Sequence, residues 1–184
     1  MSLTYSEMLP IGSKMPLFNL LNVVNDKNFS NNNLSLNFGT VVMIICNHCP
    51  YVIHYHNEIV SLVSKYSNKG IQFVAISSND IINYPQDSPE NMKNLFLRLN
   101  LKIPYLYDEN QEVAKLFKAA CTPEFYLFNN EKKLIYRGRL DSSSPGNNLP
   151  INGKDLRDAI NSYISGEMIS DEQFPSMGCN IKWK

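Results

Sequence analysis

The sequence predicts an α/β fold, a mixed central sheet with helices on both faces. Three observations predict it. Residues 40–45 (TVVMII) and 71–77 (IQFVAIS) are continuous β-branched and apolar runs, the pattern of strands buried on both faces. Between them, Val52, Ile53, His56, Ile59, Val60 and Val63 fall on one stripe at helical spacing. A right-handed crossover through that helix makes the two strands parallel neighbours. Further on, residues 125–128 and 133–139 read as strands joined by Asn129-Asn130-Glu131-Lys132, an antiparallel hairpin added to the parallel half.

The elements follow in order. The first helix spans about residues 50–67, and Gly70 closes its region. Ser88-Pro89-Glu90 starts a second helix, with serine at the cap, proline in the first turn and an acid behind it, running to about Leu99. Residues 103–107 (IPYLY) are a short strand. Asp108 caps a helix expected over 109–119, and Lys154 to Ser165 forms the last helix, stopped by Gly166. Residues 167–184 form a tail of weak periodicity that holds Cys179 and Trp183, and Phe174, Ile181 and Trp183 are expected to pack it on the body. No repeat or linker interrupts residues 1–184, which are read as one domain.

Composition narrows the function. The 184 residues are 43% hydrophobic and 11% aromatic, enough for a packed core. Seventeen basic residues balance seventeen acidic ones, so no basic excess serves nucleic acid or an anionic membrane. No apolar run approaches the ~20 residues that span a bilayer. The first twenty residues lack a basic start followed by an apolar stretch, so the expected location is cytoplasmic.

The informative residues are cysteines. Cys46 and Cys49 form a C-x-x-C pair where a buried strand passes into a helix. The first turn of a helix has free N–H groups and a partial positive charge, which favour a thiolate. Two sulfurs three residues apart on such a turn can close a disulfide, the arrangement used for thiol–disulfide exchange. Cys46, at the strand end, is expected to be the more exposed sulfur and the attacking one, with Cys49 resolving and His48 stabilising thiolate. The same spacing is also half of a zinc site, but no second pair completes one, and it occurs among inert core thiols. His56 lies on the apolar stripe and reads as a satisfied core histidine, whereas His54 points off it into solvent.

A second signal is Cys121-Thr122-Pro123, just before the hairpin. Its position opposite the C-x-x-C turn points to a cis Thr122-Pro123 peptide, with Thr122 and Pro123 docking an extended substrate. Cys121 reads either as a third thiol that traps an intermediate or as a small buried hydrophobe. Cys179 reads either as a resolving thiol or as tail packing. Tyr84, Tyr105 and Tyr107 are groove candidates, with core packing as the other role.

Taken together, these residues resemble the thioredoxin superfamily, and more closely its alkyl hydroperoxide reductase/thiol-specific antioxidant, or peroxiredoxin-like, branch. Gly12-x-x-x-Pro16-x-Phe18-x-Leu20 is similar to the branch's opening signature. The run C-N-H-C-P-Y-V at 46–52, Ser78-Asn79-Asp80, Tyr84-Pro85-x-Asp87-Ser88-Pro89-Glu90, Tyr136-Arg137-Gly138-Arg139-x-Asp141 and Gly178-Cys179-x-Ile181-Lys182-Trp183-Lys184 extend the resemblance over nearly the whole chain. The resemblance implies a thioredoxin fold with an N-terminal hairpin and an inserted strand–helix. It also identifies a redoxin subfamily carrying a thioredoxin-type C-x-x-C.

Two chemistries follow from the resemblance. In the peroxidase pattern P-x-x-x-T-x-x-C, Cys49 takes the peroxidatic position, Cys46 that of the threonine and Val42 that of the proline, while Thr122-Pro123 falls in the region of the arginine. Arg137 and Arg139 lie further on, in the hairpin. Without donors set to polarise a peroxide bond, exchange is the favoured reaction. The partners are then a disulfide-containing protein or small thiol and a reductant the sequence does not name, with no cofactor. The alternatives are a thiol peroxidase, with Cys49 peroxidatic and Cys46 resolving, and a non-enzymatic thiol metal-binding protein using Cys46, Cys49 and Cys121.

Overall fold

In the computed structural model, which describes residues 3–184, the seven-stranded sheet is built outward from the most apolar run of the chain. That run is β4 (Gly39–Ile44), in which every residue is buried. It pairs in parallel with β5 (Ile71–Ser77) on one side and antiparallel with β8 (Glu124–Phe128) on the other. The remaining strands are β2 (Asn19–Asn22), β3 (Lys27–Ser30), β6 (Tyr105–Tyr107) and β9 (Leu134–Gly138), giving the order β3-β2-β6-β5-β4-β8-β9. The hairpin β2–β3 is the N-terminal addition the resemblance implied, and it joins the sheet through β2 and β6.

Both faces of the sheet are covered because alternate residues of each strand point to opposite sides. Val41, Met43, Phe73, Ala75, Phe125 and Leu127 pack with side chains of α1 (Pro50–His54), α2 (His56–Tyr66), α3 (Pro89–Arg98) and α5 (Lys154–Ser165). Val42, Ile44, Val74, Ile76, Tyr126 and Phe128 pack on the other face with Val113 and Ala114 of α4 (Glu112–Leu116) and with Leu9, Met15 and Phe18. Each large apolar side chain fully buried this way contributes ~1.5–3 kcal/mol. Tyr105 and Tyr107 belong to this core rather than to a groove.

Several elements depart from expectation. The helix expected over 50–67 breaks at Tyr55 into α1 and α2. The break falls where the Tyr55 hydroxyl donates to Asp141 Oδ1 and the Ser143 carbonyl, tying the helix to the 141–153 loop. Ile53, assigned to the core stripe, is 50% exposed. His54 is not simply solvated, since its Nε2 lies 2.6 Å from Ser143 Oγ. His56 is not satisfied either: its Nε2 is buried without a hydrogen-bond partner, and burial lowers its pKa. The helix expected over 109–119 shrinks to α4, because Gln111 adopts a left-handed conformation before it. Asp108 still caps it, accepting from the Val113 and Ala114 N–H groups.

The tail is the largest departure. Residues Met177–Asn180 form β10, the centre of a second sheet, between β1 (Leu3–Tyr5) and β7 (Cys121–Thr122). Ile181 is buried, as expected, while Trp183 and Phe174 stay partly exposed under Lys115 and Arg139.

Candidate active site

The site lies at the C-terminal end of β4. The chain leaves that strand through Cys46, turns at Asn47-His48 and enters α1 at Cys49, its N-cap, with Pro50 in the first turn. The loop before β8 approaches from the opposite side, and its Thr122-Pro123 bond is cis, as expected. Cys46 Sγ lies 3.3 Å from Thr122 Oγ1, and Cys49 Sγ lies 3.3 Å from the Thr122 carbonyl oxygen. The expected exposure of Cys46 is not found, because both sulfurs are buried.

The two thiols differ in electrostatics. The Cys49 pKa is brought from an ordinary 9.0 down to about 5, mainly by a hydrogen bond from Cys46. Burial opposes this; Cys179, Thr122 and the Val52 backbone reinforce it. Cys46 is pushed well above its ordinary value by the hydrogen bond it gives to Cys49, by burial and by the Asp87 charge. The surroundings of the reduced pair thus favour ionisation of Cys49 over that of Cys46.

Asp87, buried beside the motif, organises the turn. Its Oδ1 accepts from the Asn47 N–H at 2.7 Å and the His48 N–H at 3.3 Å. Its Oδ2 lies 2.6 Å from His48 Nδ1 and accepts from Asn79 Nδ2 at 2.8 Å. Burial alone would raise its pKa, but the bonds from His48, Asn79 and Asn47 hold it below the usual carboxylate range. His48 thus faces Asp87, and its ring stacks on Tyr84 with centroids 5.5 Å apart.

Cys179 comes to the site from β10. Its sulfur lies 2.7 Å from Cys49 Sγ, and in register it opposes Thr122. Burial and the hydrogen bond to Cys49 push its pKa up to about 12. Cys121 takes a different place, with its sulfur 3.5 Å from Glu124 Oε1 and 3.9 Å from the Ser176 carbonyl. Glu124 itself is buried and accepts from the Ala120 and Cys121 N–H groups and the Tyr126 hydroxyl.

The metal-competent cluster among the described residues is Cys46, His48 and Asp87, whose ligand atoms lie within 4.8 Å of one another. It differs from the Cys46, Cys49 and Cys121 set considered from sequence. Each Asp87 oxygen already has two partners, so a metal would have to displace them. A cavity of about 240 Å³ opens beside the cis proline, lined by Tyr5, Tyr55, Pro123, Arg139, Asp141 and Met177 among others. Arg137 bonds Gln173 and Arg139 bonds Asp155, so both guanidiniums already have partners away from the thiols.

The redoxin family model matches residues 10–152, a span that runs from the N-terminal segment past the C-x-x-C turn and the cis-proline loop. The chain belongs to the redoxin family. An uncharacterized conserved protein from Geobacillus kaustophilus is 47% identical, with a TM-score of 0.98 over 100% of this chain and 97% of that one. A hypothetical protein from Sinorhizobium meliloti is 33% identical, with a TM-score of 0.95 and 98% of each chain covered. A secreted disulfide oxidoreductase of Mycobacterium tuberculosis shares the fold at 12% identity, with a TM-score of 0.61 over 79% of this chain and 95% of that one. No curated protein matches the sequence. This redoxin is thioredoxin-like in architecture, and its family supports a thioredoxin-like redox role. Among the described residues, no helix is long and apolar enough to cross a membrane.

Sequence reasoning missed Asp87, Asn79 and Glu124 as site residues. The first two lay inside segments that carried the family resemblance, Tyr84–Glu90 and Ser78–Asp80. Asp87 pairs with the Asn47-His48 turn about forty positions away, Asn79 meets the turn only through Asp87, and no local pattern encodes either role.

Proposed function

We propose that this redoxin is a thiol–disulfide oxidoreductase working through Cys46 and Cys49, with Cys49 as the attacking thiolate. The observation that carries this reading is the C-x-x-C pair at the strand–helix junction, with each sulfur 3.3 Å from an oxygen of Thr122 in the cis-proline loop; the surroundings lower the Cys49 pKa to about 5 and raise that of Cys46. It reverses the order of attack expected from the motif's position. The Cys49 thiolate attacks one sulfur of a substrate disulfide and the other sulfur leaves as a thiolate. Cys46 then gives up its proton and attacks Cys49. The substrate departs as a dithiol and the Cys46–Cys49 disulfide remains, to be reduced by an external thiol.

His48 and Asp87 position the turn between the two cysteines, and Thr122 with Pro123 forms the docking loop once β10 moves off its edge. The cavity beside Pro123 would take a side chain of the substrate. A cytoplasmic location and a single domain over residues 1–184 belong to the same proposal. The peroxidase alternative lacks a guanidinium among the contacts described at the thiols.

The test uses a variant with Cys46 and Cys179 both replaced by serine. Mixed with oxidised glutathione, it should accumulate a mixed disulfide on Cys49, whereas a Cys49→Ser/Cys179→Ser variant should form one on Cys46 far more slowly. Reduced wild-type protein treated with hydrogen peroxide supplies the other arm. Oxidation of Cys49 orders of magnitude faster than a free thiol would make the protein a peroxidase.

A further inference from the structure

The strand edge offered by the cis-proline loop is already occupied. β10 lies along β7, with Cys179 opposite Thr122 and Asn180 opposite Cys121. Gly178 makes this approach possible, since a Cβ there would lie 2.0 Å from the Thr122 carbonyl oxygen. The next residue is Cys179, whose sulfur rests 2.7 Å from Cys49 Sγ. A segment of the chain itself thus lies extended along the docking loop and presents a sulfur to the attacking cysteine. Cys49 is in contact with sulfur of two different elements, Cys46 across its own turn and Cys179 across the strand.

We propose that Cys179 is a third redox thiol of this site, which displaces Cys46 from Cys49 and converts the Cys46–Cys49 disulfide into a Cys49–Cys179 disulfide. The inference rests on the reading of Cys46 and Cys49 as a redox-active pair. The step is an internal exchange with no net oxidation. The Cys179 sulfur, on losing its proton, attacks Cys49 Sγ; the Cys49–Cys179 bond forms and the Cys46–Cys49 bond breaks. The electron pair of the broken bond goes to Cys46, which takes up the proton. In this scheme β10 is the first substrate the pair meets, and the rearranged disulfide fastens it over the docking loop. The disulfide that an external reductant must open is then the one carried by the covering strand.

The test is a disulfide map of the full-length protein. Reduced wild type is oxidised with one equivalent of diamide and quenched in acid. Remaining thiols are alkylated under denaturing conditions, and the unreduced peptides are identified by mass spectrometry. A Cys49–Cys179 peptide is expected within about tenfold of the Cys46–Cys49 peptide, the ratio of two disulfides ~30 mV apart in potential. It should appear after the Cys46–Cys49 peptide, and Cys121 should remain alkylated. In Cys179→Ser the Cys46–Cys49 peptide should be the sole product. Wild type that forms Cys46–Cys49 while Cys179 stays fully alkylated overturns the proposal and leaves the paired-thiol reading intact. Wild type that forms neither disulfide overturns that reading as well. The decisive measurement is on wild-type protein, so it stands even where a serine variant fails to fold.

Discussion

Replacing Cys46 by alanine removes the hydrogen bond that does most to hold the Cys49 thiolate. A hydrogen bond to a charged group contributes ~1.5–3 kcal/mol, and ~1.4 kcal/mol corresponds to one pKa unit. The Cys49 midpoint should therefore climb from about 5 to roughly 6–7. At pH 6 the ionised fraction would drop from ~90% to between ~50% and ~10%. The assay is the thiolate absorbance near 240 nm of the fully reduced protein, titrated over the acid range. Cys46→Ser is the control. It keeps an O–H donor of similar size, so its midpoint should stay near that of wild type, whereas a mere packing effect would move both variants together. An alanine variant whose midpoint stays within about half a unit of wild type would refute the donor role of Cys46. A wild-type midpoint near the ordinary 9.0 would remove the basis for assigning Cys49 as the attacking sulfur.

Other consequences follow from the same geometry. The folded-state pKa of Cys49 is depressed, so its contribution to the stability of the reduced protein is complete above the unfolded value and is lost as pH falls towards about 5. Urea unfolding of the reduced protein should show stability rising from pH 5 to pH 8 by up to ~1.4 kcal/mol per unit from this group, and Cys49→Ser should flatten that slope. Asp87→Asn keeps the shape of a carboxylate that has four partners but directs an amide N–H₂ at donors. It should cost ~3–5 kcal/mol in chemical denaturation; a loss below ~1 kcal/mol would mean that the His48 and Asn79 contacts contribute little. Gly178→Ala forces a methyl group against the Thr122 carbonyl. It should lower the Tm by several degrees, at ~2–4 °C per kcal/mol for a chain of this size, and speed iodoacetamide labelling of Cys49. Unchanged labelling would show that β10 does not control access.

The parts legible in the sequence were those set by local physics. The runs that became β4 and β5 are continuously apolar, and only a strand covered on both faces uses such a run without exposing it. α3 and α5 carry their own end signals, the Ser88 cap with Pro89 and the Gly166 stop. The C-x-x-C pair announced itself by spacing, and the cis Thr122-Pro123 bond by its place before the hairpin. The charge distribution over the pair was not legible, because it depends on Asp87, thirty-eight positions after Cys49, and on Cys179, 130 positions after it. β10 was missed for a similar reason. It is four residues long, and its pairing rests on a glycine whose value lies in the side chain it lacks. α4 was overextended because Asp108 caps from further upstream than the residue that precedes a helix.

The dependence of the site on β10 also bears on how the protein is made. A ribosome adding ~5–20 residues per second needs roughly 6–26 s to travel the 130 positions from Cys49 to Cys179. Through the later part of that interval β4, β5 and the cis-proline loop can assemble while the Cys46–Cys49 turn still lacks its covering strand. The nascent chain would then pass through a stage in which its reactive thiols are more open to small oxidants than they will be in the finished protein. The order of synthesis thus gives the pair an exposed phase before β10 arrives to cover it.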